Sequence, residues 1–292
     1  ILKSIFMRVG FIGLGVLGKT IAKRLLSQGV ELVVWNRTKE KALDLGVEIA
    51  ERPSELTKMV DTILIILFDS KASEEVIFGK GGLVEGDLKG KTVVDMTTNH
   101  YAYVQSAYNE LKGLGCSYLD APVLGSVIPA QKGELTILVA GEEEKFRELK
   151  PLFEKYCKTI FYVGQVGNAT KLKLINNIVL GGFMEILAEA IAIGERAGFS
   201  KELIIDVLNS GAGKSYILDV KKQKLLEEDF STHFSVELIH KDLHYAQDLV
   251  KDVEGFTFAL QNIKEAYGLA KAMGLSNLDF SAVYKAFKVP KT

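Results

Sequence analysis

The sequence predicts an α/β domain built on a mostly parallel sheet, followed by an all-α C-terminal domain, the two joined by one long helix. Three observations carry this. Over the first half of the 292 residues, short β-type runs alternate with helical periods. A glycine-rich turn follows the first run at once. Beyond residue 166 only helical periods remain. The length itself exceeds what one compact domain usually holds, and the expected division is 7–166 and 167–292.

Strands are expected at 8–12, 32–35, 62–68, 92–95, 118–121, 135–140 and 159–163, with helical patterns such as 18–28 and 39–45 between several of them. Strands alternating with helices imply a sheet covered on both faces. No clear helix separates the runs near Tyr118 and Leu135, which leaves room for an antiparallel pair there. Residues 168–198 read as one helix, with Asn168 as its N-cap and Gly198 as its stop. At about 1.5 Å per residue it would be roughly 45 Å long. Gly181 and Gly182 interrupt it, marking a kink or close packing against another helix. Further helices are expected at 201–209, 215–227, 236–251, 256–273 and 281–287. The sequence contains no internal repeat and no low-complexity stretch.

Composition narrows the function classes. Hydrophobic residues make up 48% and charged residues 25%, the profile of a soluble globular protein. Lys+Arg 36 against Asp+Glu 37 leaves a formal charge of -1, which argues against nucleic acid as a partner. Two cysteines, Cys116 and Cys157, make neither a disulfide framework nor a zinc site, so a reducing, cytoplasmic setting is expected. Residues 1–18 imitate a secretory signal, but Gly10, Gly13, Gly15 and Gly18 puncture the apolar run and no small-residue cleavage site ends it. Met7 directly precedes the first strand, so residues 1–6 are expected to be an upstream extension or a misplaced start. Asp61 and Asp69 bracket the most apolar strand, and no segment is expected to approach the roughly 20 apolar residues of a membrane span.

The strongest local signal is VGFIGLGVLGKTIAKRLL at residues 9–26, where Gly13, Gly15 and Gly18 form G-x-G-x-x-G between a strand and an amphipathic helix. Gly13 allows the tight turn, Gly15 lets backbone approach a pyrophosphate, and Gly18 lets helix pack on strand. Leu14, Val16 and Leu17 complete the expected cofactor-facing turn of a Rossmann-like domain. The helix N-terminus would face the phosphates with unpaired N–H groups and a positive dipole end. The second strand then ends Trp35-Asn36-Arg37-Thr38. Neutral Asn36 removes the carboxylate that would repel a 2′-phosphate, Arg37 supplies a donor fork, and Thr38 a hydroxyl. These residues predict NADP(H) over NAD(H).

Further motifs then fall into order: Asp95-Met96-Thr97-Thr98, Asp120-Ala121-Pro122-Val123, residues 167–177 (GNATKLKLINN) and Lys241-Asp242-Leu243. With the glycine motif they resemble the β-hydroxyacid dehydrogenase family, which includes 3-hydroxyisobutyrate dehydrogenases and the glyoxylate/succinic semialdehyde reductases. The resemblance runs from about Met7 to Phe287. It implies that Lys173, three residues before the first asparagine of the pair, is the catalytic lysine. Lys173 and Asn177 lie four apart and so share a helix face. The implied chemistry is hydride transfer, in which Lys173 gives a proton to the carbonyl oxygen and Asn177 orients substrate or lysine, with Asn176 a less defined partner. The resemblance also places Leu67, Phe68 and Thr98 along the cofactor, Lys241 closing over it, and Phe234 and Asp242 in the substrate pocket.

One departure bears on the substrate. The family's loop usually reads Asp-Ala-Pro-Val-Ser-Gly, with the serine holding a carboxylate; this chain has Leu124 followed by Gly125 and Ser126. Losing that hydroxyl costs on the order of 1–3 kcal/mol unless replaced. Either Ser126 and the backbone near Gly125 take over, or the substrate is more apolar there. Pro129, Ala130 and Gly133 look more like the semialdehyde and glyoxylate reductase branch. The expected activity is NADPH-dependent reduction of a small aldehyde or semialdehyde acid. The rivals are an imine or apolar-carbonyl reductase, whose members commonly lack the lysine, and a non-catalytic nucleotide-binding relative.

Three motifs are set aside. Gly211-Ala212-Gly213-Lys214-Ser215 imitates a P-loop but has Leu208 where a glycine is needed and no preceding strand, so it reads as an interhelical turn. Glu237, His240 and His244 share a helix face with Lys241 beside them, and no metal site is expected. Cys116 has no nearby histidine. A broad apolar stripe on the long helix, through Ile175, Val179, Met184, Ile186 and Ile193, predicts a homodimer or homotetramer.

Overall fold

The structure is a computed structural model and describes residues 7–288; the expectation for residues 1–6 lies outside them. The chain divides into two compact units, Ile1–Lys173 and Leu174–Thr292. The first unit opens with β1 (Arg8–Ile12), α1 (Val16–Ser27), β2 (Glu31–Trp35), β3 (Glu48–Ile49) and β4 (Thr62–Ile65). It continues with α2 (Ser70–Phe78), β5 (Thr92–Asp95), α3 (Tyr101–Gly113) and β6 (Ser117–Asp120). These six strands form one parallel sheet in the order β3-β2-β1-β4-β5-β6. Alternate residues feed two cores. Val9, Phe11, Leu64, Val94 and Leu119 pack on one side, and Ile12, Ile63, Ile65, Val93 and Tyr118 on the other. Two-sided burial explains why the strands read as continuous apolar runs. Each such fully buried large side chain contributes roughly 1.5–3 kcal/mol.

A second sheet of the same unit holds β7 (Val123–Leu124), β8 (Leu135–Val139) and β9 (Cys157–Tyr162), with α4 (Val127–Lys132) and α5 (Glu143–Phe153) between them. β7 runs antiparallel to β8, and a single antiparallel bridge links Asp120 to Ala140. The run near Tyr118 is itself β6, parallel to β5, so the antiparallel pairing for which the sequence leaves room falls mostly on Val123 and Leu124. The strand expected over 62–68 stops at Ile65, because the Leu67 amide donates to the Thr97 hydroxyl rather than to a neighbouring strand. The helical pattern at 39–45 is a 3-10 helix. β3 and β7, two residues each, are too short to show a period.

The long helix α6 spans Asn168–Arg196, and the division between units falls inside it. Asn168 is not its cap. That side chain donates to the Val163 carbonyl, and a carboxylate from β6, Asp120, accepts the Thr170 amide instead. Gly198 (φ 94°) provides the left-handed stop. Gly181 and Gly182 mark close packing: a Cβ on Gly182 would stand 2.9 Å from Ile263 Cδ1, and Tyr267 donates its hydroxyl to the Gly181 carbonyl at 3.0 Å. By length and hydropathy α6 does match a membrane-crossing helix, with a mean hydropathy of 1.6, contrary to the expectation that no segment would. Its apolar content comes from scattered Ile, Leu, Val, Phe and Gly rather than one unbroken run.

The second unit continues with α7 (Lys201–Ser210), α8 (Tyr216–Glu227), α9 (Val236–Asp252), α10 (Ala259–Ala272) and α11 (Tyr284–Phe287). Ser200, Ser215 and Ser235 cap α7, α8 and α9, each hydroxyl accepting an amide three residues on. The last expected helix is split, its first part being the 3-10 turn Phe280–Val283. The apolar stripe on α6 is Leu172, Ile175, Val179, Phe183, Ile186 and Ile193, all exposed; Met184, expected among them, is fully buried. The stripe moved by one residue because position 184 faces the packed side, where Ala188 and Ile191 are also buried.

Candidate active site

The turn after β1 is shaped by missing side chains. Gly13 has φ 104°, and a Cβ there would stand 1.9 Å from the Ile66 carbonyl oxygen. A Cβ on Gly18 would meet the Gly13 carbonyl oxygen at 2.2 Å, whereas one on Gly15 would meet nothing within 4 Å. The backbone at Gly15 therefore faces open space at the start of α1, whose first turn carries no acidic residue and no side-chain cap. A groove of about 550 Å³ opens at Leu14, Gly15 and Val16 and continues past Lys19, Lys23 and Arg24. Unpaired amides, a dipole end and cationic walls suit a pyrophosphate, so these residues fit a dinucleotide cofactor.

Asn36 serves the turn. Its Oδ1 accepts the Leu14 amide at 2.9 Å and its Nδ2 donates to the Thr38 carbonyl at 2.8 Å. It thus ties the end of β2 to the glycine turn and leaves Arg37 and Thr38 exposed beside it. Leu17 is half-buried against the core.

The ends of β4 and β5 are joined through a buried acid. Asp95 is fully buried; its Oδ2 accepts Ser73 Oγ, Tyr118 OH and Asn99 Nδ2 at 2.6, 2.9 and 3.0 Å, and its Oδ1 accepts the Thr97 amide at 3.1 Å. Burial outweighs these bonds and pushes the carboxyl above its usual range. Thr97 in turn accepts the Leu67 amide at 2.9 Å. One carboxylate therefore orders the two turns bearing Leu67, Phe68 and Thr98. Leu67 and Thr98 are half-buried, and Phe68 is 40% exposed.

The loop from β6 to α4 meets the start of α6. Asp120, fully buried, accepts the Gly167 amide at 3.1 Å, the Thr170 amide at 3.0 Å and the Thr170 hydroxyl at 2.5 Å. Burial raises its pKa to about 6. Lys173, one turn further on and only 9% exposed, donates Nζ to the Val123 carbonyl at 2.6 Å. A buried ammonium needs such acceptors to offset the loss of water. Leu124, half-buried, packs against Leu138, Ala140 and Ala169. Gly125 (φ 109°) is exposed and Ser126 half-buried.

A second polar cluster lies wholly in the helical unit. Asn177, fully buried, donates Nδ2 to Asp242 Oδ2 at 2.7 Å and accepts Asn176 Nδ2 at 3.1 Å. Asp242 is 1% exposed, and Lys241 Nζ stands 3.1 Å from its Oδ1. That approach is an ion pair outside hydrogen-bond geometry, so Oδ1 has no hydrogen bond among the described residues. Lys241 Nζ also lies 5.3 Å from the centre of the Tyr245 ring. Phe234 is half-buried, edge-on to Phe280 at 5.6 Å, and its amide donates to the buried Asp279.

The motifs set aside also have places. Residues 211–215 form the turn between α7 and α8, where Ser215 caps α8. His240 and His244 bring their Nε2 atoms to 3.1 Å, and burial lowers the His240 pKa to about 4. Burial pushes the Cys116 thiol up to about 12, away from nucleophilic use. Sequence reasoning assigned no role to Asp95 or Asp120, the two acids that organise these loops. The available signal was an acid ending each of two apolar strands, where a parallel sheet places its ligand-facing loops.

Residues 8–164 match the NAD-binding domain of 6-phosphogluconate dehydrogenase, and residues 167–287 match the NAD-binding family of NADP-dependent 3-hydroxyisobutyrate dehydrogenase. The chain is 34% identical to glyoxylate/succinic semialdehyde reductase 1 of Arabidopsis thaliana, over 97% of this chain and 99% of that protein. A 3-hydroxyisobutyrate dehydrogenase structure from Salmonella typhimurium superposes with a TM-score of 0.89 at 26% identity, covering 96% of this chain and 99% of that one. The structure of Psf3 with NADP+ and 2-OPP also reaches 0.89, at 27% identity, covering 96% of this chain and all of that one (100%). With its glycine turn, parallel sheet and helical second unit, the chain belongs to the β-hydroxyacid dehydrogenase family, of the 3-hydroxyisobutyrate dehydrogenase type, and is an NADP-dependent oxidoreductase.

Proposed function

We propose that this enzyme reduces a small aldehyde or semialdehyde acid, glyoxylate or succinic semialdehyde among them, to the hydroxy acid, with Lys173 as general acid. The observation that carries the reading is the Lys173 amine, 9% exposed and held at 2.6 Å by the carbonyl of Val123 in the loop expected to bind substrate. NADPH, held by residues 13–18 with Arg37 and Thr38 on its 2′-phosphate, supplies the hydride. Lys173 gives the carbonyl oxygen its proton and takes it back in the reverse direction. Ser126 and the backbone at Gly125 take the substrate carboxylate, since the Leu124 side chain has no donor to offer it. The family resemblance assigns Asn176, Asn177, Asp242 and Phe234 to the substrate and Lys241 to the cofactor; within their own unit Asn177 donates to Asp242.

The enzyme works as a homodimer or homotetramer in this reading. Exposed Leu172, Val179, Ile186 and Ile193 recur every seventh residue along α6, a seam that a second copy would cover.

The test is NADPH consumption with glyoxylate, malonic, succinic and tartronate semialdehydes in wild type and Lys173→Ala. One aldehyde acid should turn over, and the variant should lose about 10²–10⁴-fold in kcat while binding NADPH as before. Turnover undiminished in Lys173→Ala, or no turnover of any of the four with NADPH bound, would reject the reading.

A further inference from the structure

We propose that Asp120 is a positioning residue for the reaction: it fastens the first turn of α6 to β6 and so sets where the Lys173 amine stands. This rests on the general-acid reading of Lys173. An α-helix begins with amides that need an external acceptor, usually the side chain of its own N-cap. α6 lacks that arrangement, because the Asn168 amide group is turned to the Val163 carbonyl. The acceptor comes from 50 residues earlier in the chain, and three donors from the helix start converge on it: Gly167 N–H, Thr170 N–H and Thr170 Oγ–H.

The consequence is geometric. Lys173 follows Thr170 by three residues, about 4.5 Å along the helix, and its amine returns to Val123, three residues after Asp120. The lysine is therefore clamped twice to one short segment, at its helix base by Asp120 and at its tip by the Val123 carbonyl. Residues 124–126, expected to hold the substrate, continue that segment without a break. Substrate loop and proton donor are thus indexed to the same strand end.

Stability alone gives little reason for this acid. Full burial holds its carboxyl near pKa 6, and Asp95, its register partner across β5 and β6, adds like charge. A buried charge held against those costs is poor evidence of a stabilising role. An ionised carboxylate, however, accepts several donors at fixed directions, which an apolar contact cannot do. General acid catalysis rewards such fixing, since a 1 Å misplacement can cost about a hundredfold in rate.

The experiment measures the hydride-transfer step by stopped flow, with NADPH affinity and thermal stability, in the full chain and in Asp120→Asn, Thr170→Val and Lys173→Ala. Glyoxylate and succinic semialdehyde are the probes. Asp120→Asn should slow hydride transfer about tenfold or more and shift its pH dependence, with NADPH affinity changed by less than about twofold. Thr170→Val, which keeps the acid and both amides, should show a smaller loss of the same kind and serves if Asp120→Asn fails to fold. Wild-type rates and pH dependence in the folded variants would overturn the inference. So would parallel losses of rate and NADPH affinity, which mark general damage. Full activity in Lys173→Ala would instead reject the general-acid reading beneath it; an inactive Lys173→Ala beside unaffected Asp120 and Thr170 variants rejects the positioning role alone.

Discussion

The turn after β1 and the loop after β6 both sit at the carboxyl ends of strands in one parallel sheet, yet they are built by opposite means. At β1 the chain removes side chains: Gly13 and Gly18 leave no room for a Cβ, and Gly15 leaves open space before the helix amides. At β6 it adds buried charge: Asp120 and Lys173 are held by hydrogen bonds to backbone and Thr170. The difference follows from the tasks. A pyrophosphate is met by many weak backbone donors, which must come close. In the proposed general-acid reading a single proton is delivered from one defined point, which calls for a long side chain fixed at base and tip.

The contrast breaks first at Gly13. Gly13→Ala places a Cβ against the Ile66 carbonyl at a φ of 104°, and should cost about 3 kcal/mol or more of stability and abolish NADPH binding. Thermal denaturation and cofactor titration check this, and an unchanged melting temperature would show that the turn is not sterically defined. The second contrast is in pH. Because the folded pKa of Asp120 is raised to about 6, the folded state binds more protons than the unfolded chain between about pH 4 and 6. Its contribution is complete below about pH 4 and lost as pH rises through 6, by on the order of 3 kcal/mol. Other carboxyls, such as Asp44 and Asp279, are shifted the other way, so the quantity to measure is wild type minus Asp120→Asn in denaturant melts. A difference flat from pH 4 to 7 would contradict it. The smallest effect is at Arg37, where the alanine variant should bind NADPH about tenfold more weakly and NADH unchanged; equal losses for both cofactors would remove the 2′-phosphate role.

Legibility divides along the same line. Gly13, Gly15 and Gly18 could be read because their requirement is local: spacing along one strand–turn–helix unit states it completely. The extents of α7, α8 and α9 were nearly as readable, since a helical period is also local. The Asn168 cap was not, because its replacement, Asp120, comes from another strand. The stripe on α6 runs through Phe183 rather than Met184, whose burial depends on what packs against that side. The sequence shows Asn36 only as a neutral residue compatible with a 2′-phosphate, whereas its side-chain amide also holds the glycine turn.

Taken alone, the sequence determined the parallel sheet, its helical successor and the dinucleotide turn, each from periodicity or spacing within a short stretch of chain; the lysine on the long helix was singled out by the family resemblance. Only the tertiary structure decided that Leu124 packs against Leu138, Ala140 and Ala169, that Asp95 orders the turns after β4 and β5, and that Asp120 anchors the helix of Lys173. Those are contacts between residues tens of positions apart, and a carboxylate's partners are fixed by which strand ends the folded sheet brings side by side.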